Sequence, residues 1–513
     1  MTNILDSLLS TAAAKGAADG AVDHARATST FDGTVTTPSE GFVLPVAPAT
    51  KTLYAYQQAA VESILNQRRV LLGLQPGLGK TAIMQAAAAA LAAEGKRSVI
   101  VVPPSLRISP WANEFAIDFP HLSVALVSGT KAAAFPEADV VIVPDSVLAH
   151  RIADVEAFAP DAVFVDEAHR FKSRDAKRSK ALKAFAATLA ADAVVVMATG
   201  TLVSNRIIDV YQPLAITGDA NAKAVSGGAS YSVFLDRWCE TELVWTGRAN
   251  VLVATGAKDP EGLRAALTST CMVSVPREAV LDLPARTTAV RSLVLNGDAA
   301  NYRRMEKNFL SWVRETKGDA ALARAAKAEA ITKLMALWEA DGLAKVKAAT
   351  EYTTALTSQG EQVVLMAHHK SVVLAMYEAL LNEGLKVGAI IGGMSSEAKA
   401  EVVDAFQAGN LDVVIGNIEA AGTGLTLTAA AHLAFVQLPW APGTYGQAAD
   451  RIYRIGQDRH VTTHVLNMNE GVSEHLWNVL QSKVAVADAI NTGTASTIDF
   501  DSVHEAVLES YGW

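Results

Sequence analysis

The chain has 513 residues, half of them hydrophobic, with a mean hydropathy of +0.21 and a formal net charge of −9. This length predicts about three domains with buried cores, and the composition excludes an intrinsically disordered chain. The acidic balance weighs against a protein that coats nucleic acid through bulk charge, and two cysteines are too few for a disulfide framework.

Residues 1–45 are rich in Ala, Thr, Ser, Gly and Asp without a sustained apolar period, which predicts a poorly ordered leader. The leader lacks the basic start and apolar core of a secretion signal, and no apolar run elsewhere reaches the length of a membrane span. We therefore expect a cytoplasmic protein with no membrane partner.

Short β-branched runs alternate with helical stretches after Leu53. The first set is "RVLLGL", "SVIVVP", "LSVALVS", "ADVVIVP", "DAVFVD" and "AVVVMAT", and the second is "QVVLMAH", "KVGAII", "DVVIGN", "HLAFVQL" and "TTHVLNM". Continuous apolar runs separated by helices are typical of buried parallel strands in an α/β fold. We predict a first lobe at 46–217, a largely helical insertion with a hairpin at 218–345, a second lobe at 346–490 and a C-terminal tail at 491–513.

A glycine-rich segment, "QPGLGKT", joins the first apolar run to an alanine-rich helix. Gly77 and Gly79 would let backbone N–H groups converge on one point, where the following helix N-terminus adds partial positive charge. Lys80 would then reach the β and γ phosphates of a nucleotide, and Thr81 would hold Mg²⁺. Because Leu74 occupies the place of the pattern's first glycine, a plain strand–turn–helix connection is the alternative.

Two acids, Asp166 and Glu167, end the apolar run "DAVFVDEAHRF". An acid at the carboxyl end of a parallel strand lies in the crevice where α/β sheets bind ligands. Asp166 can hold Mg²⁺, partly through water, and Glu167 can orient and deprotonate an attacking water.

A basic run, "HRFKSRDAKRSKALK", follows these acids and contains a single acid, Asp175. Its basic residues are Arg170, Lys172, Arg174, Lys177, Arg178, Lys180 and Lys183. A solvated helix face is one interpretation. Its position directly after the acidic motif favours a local track for nucleic acid.

Several segments stand in the order found in superfamily two helicases: "LYAYQQ", "GLGKT", "VVPPSLRISPWANEF", "DEAHRFKSRDAKRSKAL", "ATGT", "LDLPART", "GNIEAAGTGLTLTAA" and "QAADRIYRIGQ". More narrowly, they resemble Swi/Snf-type DNA translocases, including relatives that rewind DNA or remodel forks. The resemblance runs from about Leu53 to Met468. It implies two tandem RecA-like lobes, ATP and Mg²⁺ as cofactors, and double-stranded DNA as the partner of a monomer in a bacterial or virus-infected bacterial cell. Protein partners are left open.

The resemblance also implies roles for individual residues. Gln57 would read the adenine edge, and the phosphates and metal would be held by Gly77, Leu78, Gly79, Lys80, Thr81, Asp166 and Glu167. Thr199 and Thr201 would link this site to the DNA track. The other implied DNA contacts are Ser105, Lys172, Arg174, Lys177, Arg178 and Thr423. Gly422 and Gly424 would contact DNA and nucleotide with Thr423, and the γ-phosphate would be met by Gln447, Arg451 and Arg454.

Arginines from a second lobe have a physical rationale. Phosphoryl transfer spreads negative charge over the γ-phosphate, so a guanidinium delivered by the other lobe would couple closure to hydrolysis. The alternative is that Arg451 and Arg454 only form salt bridges with Asp450 or Asp458. The sequence departs from the family at Leu202, where proline is usual, and before "LDLP", where Arg277 stands alone.

Three functions stay open at this point. The sequence favours an ATP-dependent translocase on double-stranded DNA. A strand-separating DNA or RNA helicase would need a wedge that no stretch indicates, and a nucleotide-gated, non-enzymatic clamp would be favoured only by loss of Lys80 or Glu167. Trp111, Trp238 and Trp440 are expected to be packing residues.

Overall fold

The structure is a computed structural model, and it describes residues 36–127, 129–130, 135–200, 202, 206–245, 250–294, 299–317, 320–421, 425–469, 471–481 and 503–512. These residues form two compact units. The first takes described residues from within 1–202, 210–230 and 265–281, and the second takes those from within 203–209, 231–264 and 282–513. Within the described part of the chain, no helix is long and apolar enough to cross a lipid bilayer.

The strands, in chain order, are β1 (Arg69–Leu72), β2 (Ser98–Val102), β3 (Val124–Leu126), β4 (Val140–Pro144), β5 (Ala162–Val165), β6 (Val194–Ala198), β7 (Cys239–Trp245), β8 (Asn250–Ala257), β9 (Met272–Val273), β10 (Arg286–Ser292), β11 (Val363–Ala367), β12 (Val387–Ile390), β13 (Val413–Asn417), β14 (His432–Phe435) and β15 (Val461–Asn467).

The α-helices, in chain order, are α1 (Ala55–Gln67), α2 (Lys80–Ala93), α3 (Asn113–Asp118), α4 (Asp145–Phe158), α5 (Lys177–Thr188), α6 (Tyr211–Thr217), α7 (Asp219–Ser226), α8 (Tyr231–Trp238), α9 (Pro260–Thr270), α10 (Arg277–Val280), α11 (Ala300–Lys317), α12 (Ala320–Thr357), α13 (Lys370–Asn382), α14 (Ser396–Gln407), α15 (Ile418–Ala421), α16 (Pro442–Ala449) and α17 (Val503–Ser510). Short 3₁₀ turns cover Pro104–Leu106, Ala168–Phe171 and Ile207–Val210, a π-helical segment covers Arg107–Ala112, and residues 472–481 are helical.

The first unit is built on a parallel sheet of seven strands in the order β3-β4-β2-β5-β6-β1-β9. Every residue of β2, β4, β5 and β6 is buried, as expected for strands built almost entirely of apolar residues. In α2 the alanines from Ala86 to Ala90 are buried, and such small side chains allow close packing in the core. Helix α5 buries Ser179, Leu182 and Phe185 at helical spacing.

The second unit contains a six-stranded parallel sheet in the order β10-β15-β14-β11-β13-β12. Its core also takes side chains from α11 and α12, such as Phe309 and Trp338, and from α17, such as Val507 and Tyr511. A separate antiparallel hairpin, β7–β8, belongs to this unit and exposes Leu243. The predicted fold class, two RecA-like α/β lobes, is confirmed.

The structure distributes residues 218–345 differently from the predicted insertion. Strand β9 joins the first sheet and β10 joins the second, while α11 and α12 pack into the core of the second unit. Strand β9 has two residues, and β10 is mostly exposed, so neither produces an apolar run. In the predicted tail, residues 503–510 form α17; residues 1–35 of the predicted leader and 491–502 and 513 of the tail lie outside the described residues.

Candidate active site

Several strands of the first sheet end at one edge. Strand β1 ends at Leu72 and β6 at Ala198, and these two residues are paired in register. Val101 of β2 is paired with Val165, the last residue of β5. Because the carboxyl ends of parallel strands share an edge, the segments after β1, β5 and β6 meet there. These segments carry the three motifs "QPGLGKT", "DEAH" and "ATGT".

The glycine loop adopts a backbone that only glycine takes easily. Gly77 has φ +87° and Gly79 has φ +74°, both in the left-handed region. A Cβ atom at Gly79 would also collide with the side-chain amide of Gln57. Helix α2 begins immediately afterwards at Lys80, so the loop ends on a helix N-terminus.

The side chain of Lys80 forms hydrogen bonds to its own loop. Its Nζ donates hydrogen bonds to the carbonyls of Leu74 at 2.9 Å and Gln75 at 3.5 Å. The end of β6 lies against the same loop, because a Cβ at Gly200 would stand 2.9 Å from Cγ of Pro76 and 3.2 Å from Nζ of Lys80. Thr81 follows in the first turn of α2 and is half-buried.

Gln57 supports this loop from α1. Its Nε2 donates to the Leu78 carbonyl at 3.3 Å, and its Oε1 accepts from the Tyr54 backbone N–H at 2.9 Å. The hydroxyl of Tyr56 donates to the same Leu78 carbonyl at 3.2 Å. The amide of Gln57 is thus engaged with protein groups, and its reading of adenine stays a prediction.

Asp166 is a buried carboxylate at the end of β5. Its Oδ1 accepts from the Glu167 backbone N–H at 2.9 Å, and its Oδ2 accepts from the Trp111 indole Nε1–H at 3.0 Å. Burial, reinforced by the charge of Glu167, raises the pKa of Asp166 to about 6, although the charge of Lys80 and both hydrogen bonds oppose the shift. Lys80 and Asp166 therefore interact electrostatically, as the motif spacing predicts.

Glu167 begins a chain of polar contacts that leads to the "ATGT" segment. Its backbone is left-handed, with φ +52°, which is uncommon for a residue with a side chain. Its Oε2 lies 3.2 Å from Nδ1 of His169, and this nitrogen lies 3.3 Å from Oγ1 of Thr199. The structure thereby brings Thr199 to the acidic motif; Thr201 lies outside the described residues.

Trp111 has a role that the sequence analysis misses. It is fully buried, as expected for a packing residue, but its indole N–H also bonds directly to Asp166. Nothing in the spacing of "PPSLRISPWANEF" indicates this contact, because it joins residues far apart in the sequence.

The basic run divides into two groups. Arg170 pairs with the buried carboxylate of Asp145, and Arg178 lies 3.7 Å from the same carboxylate while donating to the Arg170 carbonyl at 3.0 Å. Arg178 therefore makes structural contacts within the first unit, a role that differs from its predicted contact with DNA. Arg174 and Lys177 are exposed, and Lys172 is half-buried. Ser105 lies in the 3₁₀ turn Pro104–Leu106, and its side chain lies outside the described part.

In the second unit, the predicted γ-phosphate residues are grouped around α16. Gln447 is buried within the helix, and Arg451 donates to the carbonyls of Gln447 at 2.9 Å and Leu425 at 3.3 Å. Arg454 donates to the Asp450 carbonyl at 2.9 Å, and its Nη1 is 3.5 Å from Oγ1 of Thr426.

The carboxylate of Asp450 accepts a hydrogen bond from Nη1 of Arg286 in β10 at 2.8 Å. The predicted contacts Gly422, Thr423 and Gly424 lie outside the described residues. Arg277, the single basic residue that stands before "LDLP", lies in the first unit, where its backbone N–H donates to Oε1 of Gln75 at 3.3 Å.

Two known family models match this chain. The family model of the SNF2-related domain matches residues 56–337, more than half of the chain, and the model of the helicase conserved C-terminal domain matches residues 344–456. The chain belongs to the SNF2-related family. The predicted recognition as a Swi/Snf-like superfamily two protein is confirmed.

Relatives of this SNF2-related chain occur in animals and bacteria. A mouse protein named "DNA annealing helicase and endonuclease ZRANB3" is 27% identical over 468 residues, which is 88% of this chain and 42% of the mouse protein. A Bacillus subtilis protein named "Putative ATP-dependent helicase/translocase YwqA" is 24% identical over 87% of this chain and 49% of its own length. The chain therefore spans less than half of the length of these relatives.

A solved structure, the "Sulfolobus solfataricus SWI2/SNF2 ATPase core in complex with dsDNA", aligns with a TM-score of 0.40 and 19% identity. The alignment covers 88% of this SNF2-related chain and 96% of the archaeal one.

Proposed function

We propose that the chain is an ATP-driven translocase on double-stranded DNA, which remodels or rewinds DNA or displaces bound proteins. The observation that carries the proposal is the site in the first unit, where a left-handed glycine loop, Lys80 at a helix N-terminus and the buried Asp166 meet at one sheet edge. Membership of the SNF2-related family supports the DNA-dependent part.

ATP is the proposed substrate, and the residues present fit it with Mg²⁺. The backbone N–H groups of residues 77–79 would bind phosphates, and Lys80 would exchange its loop carbonyls for the β and γ phosphates. Thr81 and Asp166 would hold Mg²⁺, which when bound neutralises charge on the phosphate oxygens. The fit rests on Asp166, because a cation beside it would offset both its burial and its repulsion by Glu167.

Glu167 is the proposed base that orients and deprotonates the attacking water. His169 contacts both Glu167 and Thr199, so a movement of the "ATGT" segment would change the position of the base. This contact is a route by which DNA bound near Thr201 could alter turnover.

Gln447, Arg451 and Arg454 are proposed to stabilise charge on the γ-phosphate during turnover. Both arginines contact residues that directly follow the segment 422–424, namely Leu425 and Thr426. A change at 422–424 on binding DNA or nucleotide could therefore reach both guanidinium groups through Leu425 and Thr426.

Lys172, Arg174 and Lys177 are the proposed phosphate-contacting residues of the first unit, with Ser105 and Thr201, and Thr423 is proposed for the second. Such contacts address the DNA backbone, so we expect binding without base specificity. Arg178 is expected to act mainly through Asp145, since its guanidinium already faces that buried carboxylate. We also propose a monomer in the cytoplasm of a bacterium or virus-infected bacterium.

A second candidate function is a strand-separating helicase, which the hairpin β7–β8 favours. Leu243 and Leu252 face each other across this hairpin and are 68% and 50% exposed. Exposed apolar side chains on a two-stranded ribbon are the type of element that could contact an opened base pair. Leu243→Ser with Leu252→Ser should leave DNA-stimulated ATPase unchanged if the chain is a translocase; loss of duplex unwinding would support the helicase.

The proposed function is tested by ATPase assays of the full chain with three polymers. A duplex translocase should be stimulated more by double-stranded DNA than by single-stranded DNA or RNA, whatever the DNA sequence. The Glu167→Gln variant, run in parallel, identifies turnover that belongs to this site. Absence of stimulation by every polymer would favour the nucleotide-gated clamp.

A further inference from the structure

Trp111 connects the carboxylate of Asp166 to the helix that carries the phosphate-loop lysine. Its indole Nε1–H donates to Oδ2 of Asp166 at 3.0 Å, and both side chains are buried. The backbone carbonyl of Trp111 accepts a hydrogen bond from Nε2 of Gln85 at 3.2 Å. Gln85 is fully buried in α2, the helix whose first residue is Lys80.

The local backbone places the indole. Trp111 lies in the π-helical segment Arg107–Ala112, which contains Pro110 and runs into α3. A π-helical turn is wider than an α-turn and occurs often at functional sites. The indole also packs against Phe115, with ring centroids 6.2 Å apart, so its orientation is fixed by both packing and hydrogen bonds.

The hydrogen bonds to Asp166 leave acceptor sites on its carboxylate oxygens for a further ligand. Each carboxylate oxygen accepts one bond from the protein, Oδ1 from the Glu167 N–H and Oδ2 from Trp111. A carboxylate offers about two acceptor sites on each oxygen, so one site on each stays available for a metal ion or its water. Without the indole, the Glu167 N–H would be the remaining hydrogen bond that restrains rotation of this carboxylate within the described part of the chain.

We propose that Trp111 is a positioning residue, which holds the Asp166 carboxylate at a fixed position relative to the phosphate loop. The connection runs from α2, which begins at Lys80, through the side chain of Gln85 to Trp111, and from the Trp111 indole to Asp166. The inference rests on the proposed hydrolysis of ATP with Mg²⁺ at this site. Groups that orient a metal ligand typically change metal affinity or activity by about 10- to 100-fold when they are removed.

Trp111→Phe tests the hydrogen bond, because phenylalanine keeps an aromatic ring but has no N–H. Binding of a fluorescent, non-hydrolysable ATP analogue to the full chain is titrated at a series of Mg²⁺ concentrations. The half-saturating Mg²⁺ concentration should rise about tenfold, while nucleotide affinity in EDTA stays at the parent value. Turnover at limiting Mg²⁺ should fall and recover when Mg²⁺ is raised, and KM for the Mg-nucleotide complex should rise by a similar factor, because its binding includes the weakened contact between the metal and Asp166.

Phe119→Leu is the matched control, since Phe119 packs on Phe115 in the same aromatic core, with ring centroids 6.0 Å apart, and its replacement keeps both the Trp111 N–H and the ring that Trp111 packs on. It should lower the thermal midpoint and leave the half-saturating Mg²⁺ concentration unchanged. If Trp111→Phe does not fold, benzothienylalanine at position 111 replaces the N–H by sulfur in a ring system of nearly the same shape, and the same tenfold rise is expected.

The outcomes separate the two claims. A parent chain that binds and hydrolyses ATP, together with an N–H-free variant whose Mg²⁺ dependence matches the parent, overturns the positioning role alone. A parent chain that binds no nucleotide with Mg²⁺ overturns the proposed function and the inference with it.

Discussion

Replacing Lys345 by methionine is expected to destabilise the second unit strongly. Lys345 and Asp341 form an ion pair at 2.8 Å within α12, and their side chains are 0% and 1% exposed. Nζ of Lys345 also donates to the Leu466 carbonyl of β15 at 3.0 Å. Asp341 accepts from the hydroxyl of Ser473 at 2.9 Å.

Removing one partner of such a pair leaves a buried charge without compensation, which costs about 3–5 kcal/mol. This is a large part of the roughly 5–15 kcal/mol that stabilises a domain. The double variant Lys345→Met with Asp341→Leu removes both charges, so most of the loss should be recovered. A residual cost of about 1–2 kcal/mol remains because Leu466 and Ser473 lose partners.

Hydrogen exchange followed by mass spectrometry in the full chain, at increasing urea, measures the free energy of opening separately for each sheet. The single variant should lower the value for β11, β14 and β15 and leave the value for β2 and β5 unchanged. A loss below about 1 kcal/mol, or a double variant as unstable as the sum of the single variants, would refute the reasoning about a buried pair.

The remaining predictions concern turnover and DNA. Glu167→Gln should keep ATP binding but lower kcat by about 10²- to 10⁴-fold, since it removes the base and leaves the phosphate-binding loop intact; near-parental kcat would show that another group is the base. Arg454→Ala should lower kcat while equilibrium nucleotide binding persists, and a large loss of binding instead would place the arginine in ground-state recognition. Charge reversal of Lys172, Arg174 and Lys177 should make the slope of log affinity for DNA against log salt shallower by about 3, with basal ATPase retained; an unchanged slope would indicate a solvated surface.

The fold and the backbone of the glycine loop could be predicted because their signals are local. An apolar, β-branched run such as "VIVV" in β2 predicts a strand buried on both faces. Two glycines between a strand and a helix predict a tight turn, and Gly77 and Gly79 do adopt positive φ angles. That Lys80 and Asp166 lie at one edge of the sheet could also be predicted, since each follows the carboxyl end of a parallel strand.

Contacts between distant residues could not be predicted in this way. Trp111 meets Asp166 because β2 and β5 are neighbours in the first sheet, and Asp145 meets Arg170 although β2 lies between the strands β4 and β5 that they follow. From the sequence alone, Trp111 is expected only to pack, and Arg170 is one basic residue among seven in the run after the acidic motif. The two-residue strand β9 was missed for a different reason, since so short a strand has no periodicity to detect.

Strand displacement tests translocation on intact duplex most directly. The full chain with ATP and Mg²⁺ is given a triplex whose third strand is labelled and, separately, a plain duplex with a single-stranded tail. A translocase that tracks one strand of a paired helix should remove the third strand and leave the plain duplex mostly paired, and the Glu167→Gln variant should do neither. Efficient unpairing of the plain duplex, or stronger stimulation of ATPase by RNA than by double-stranded DNA, would contradict the account.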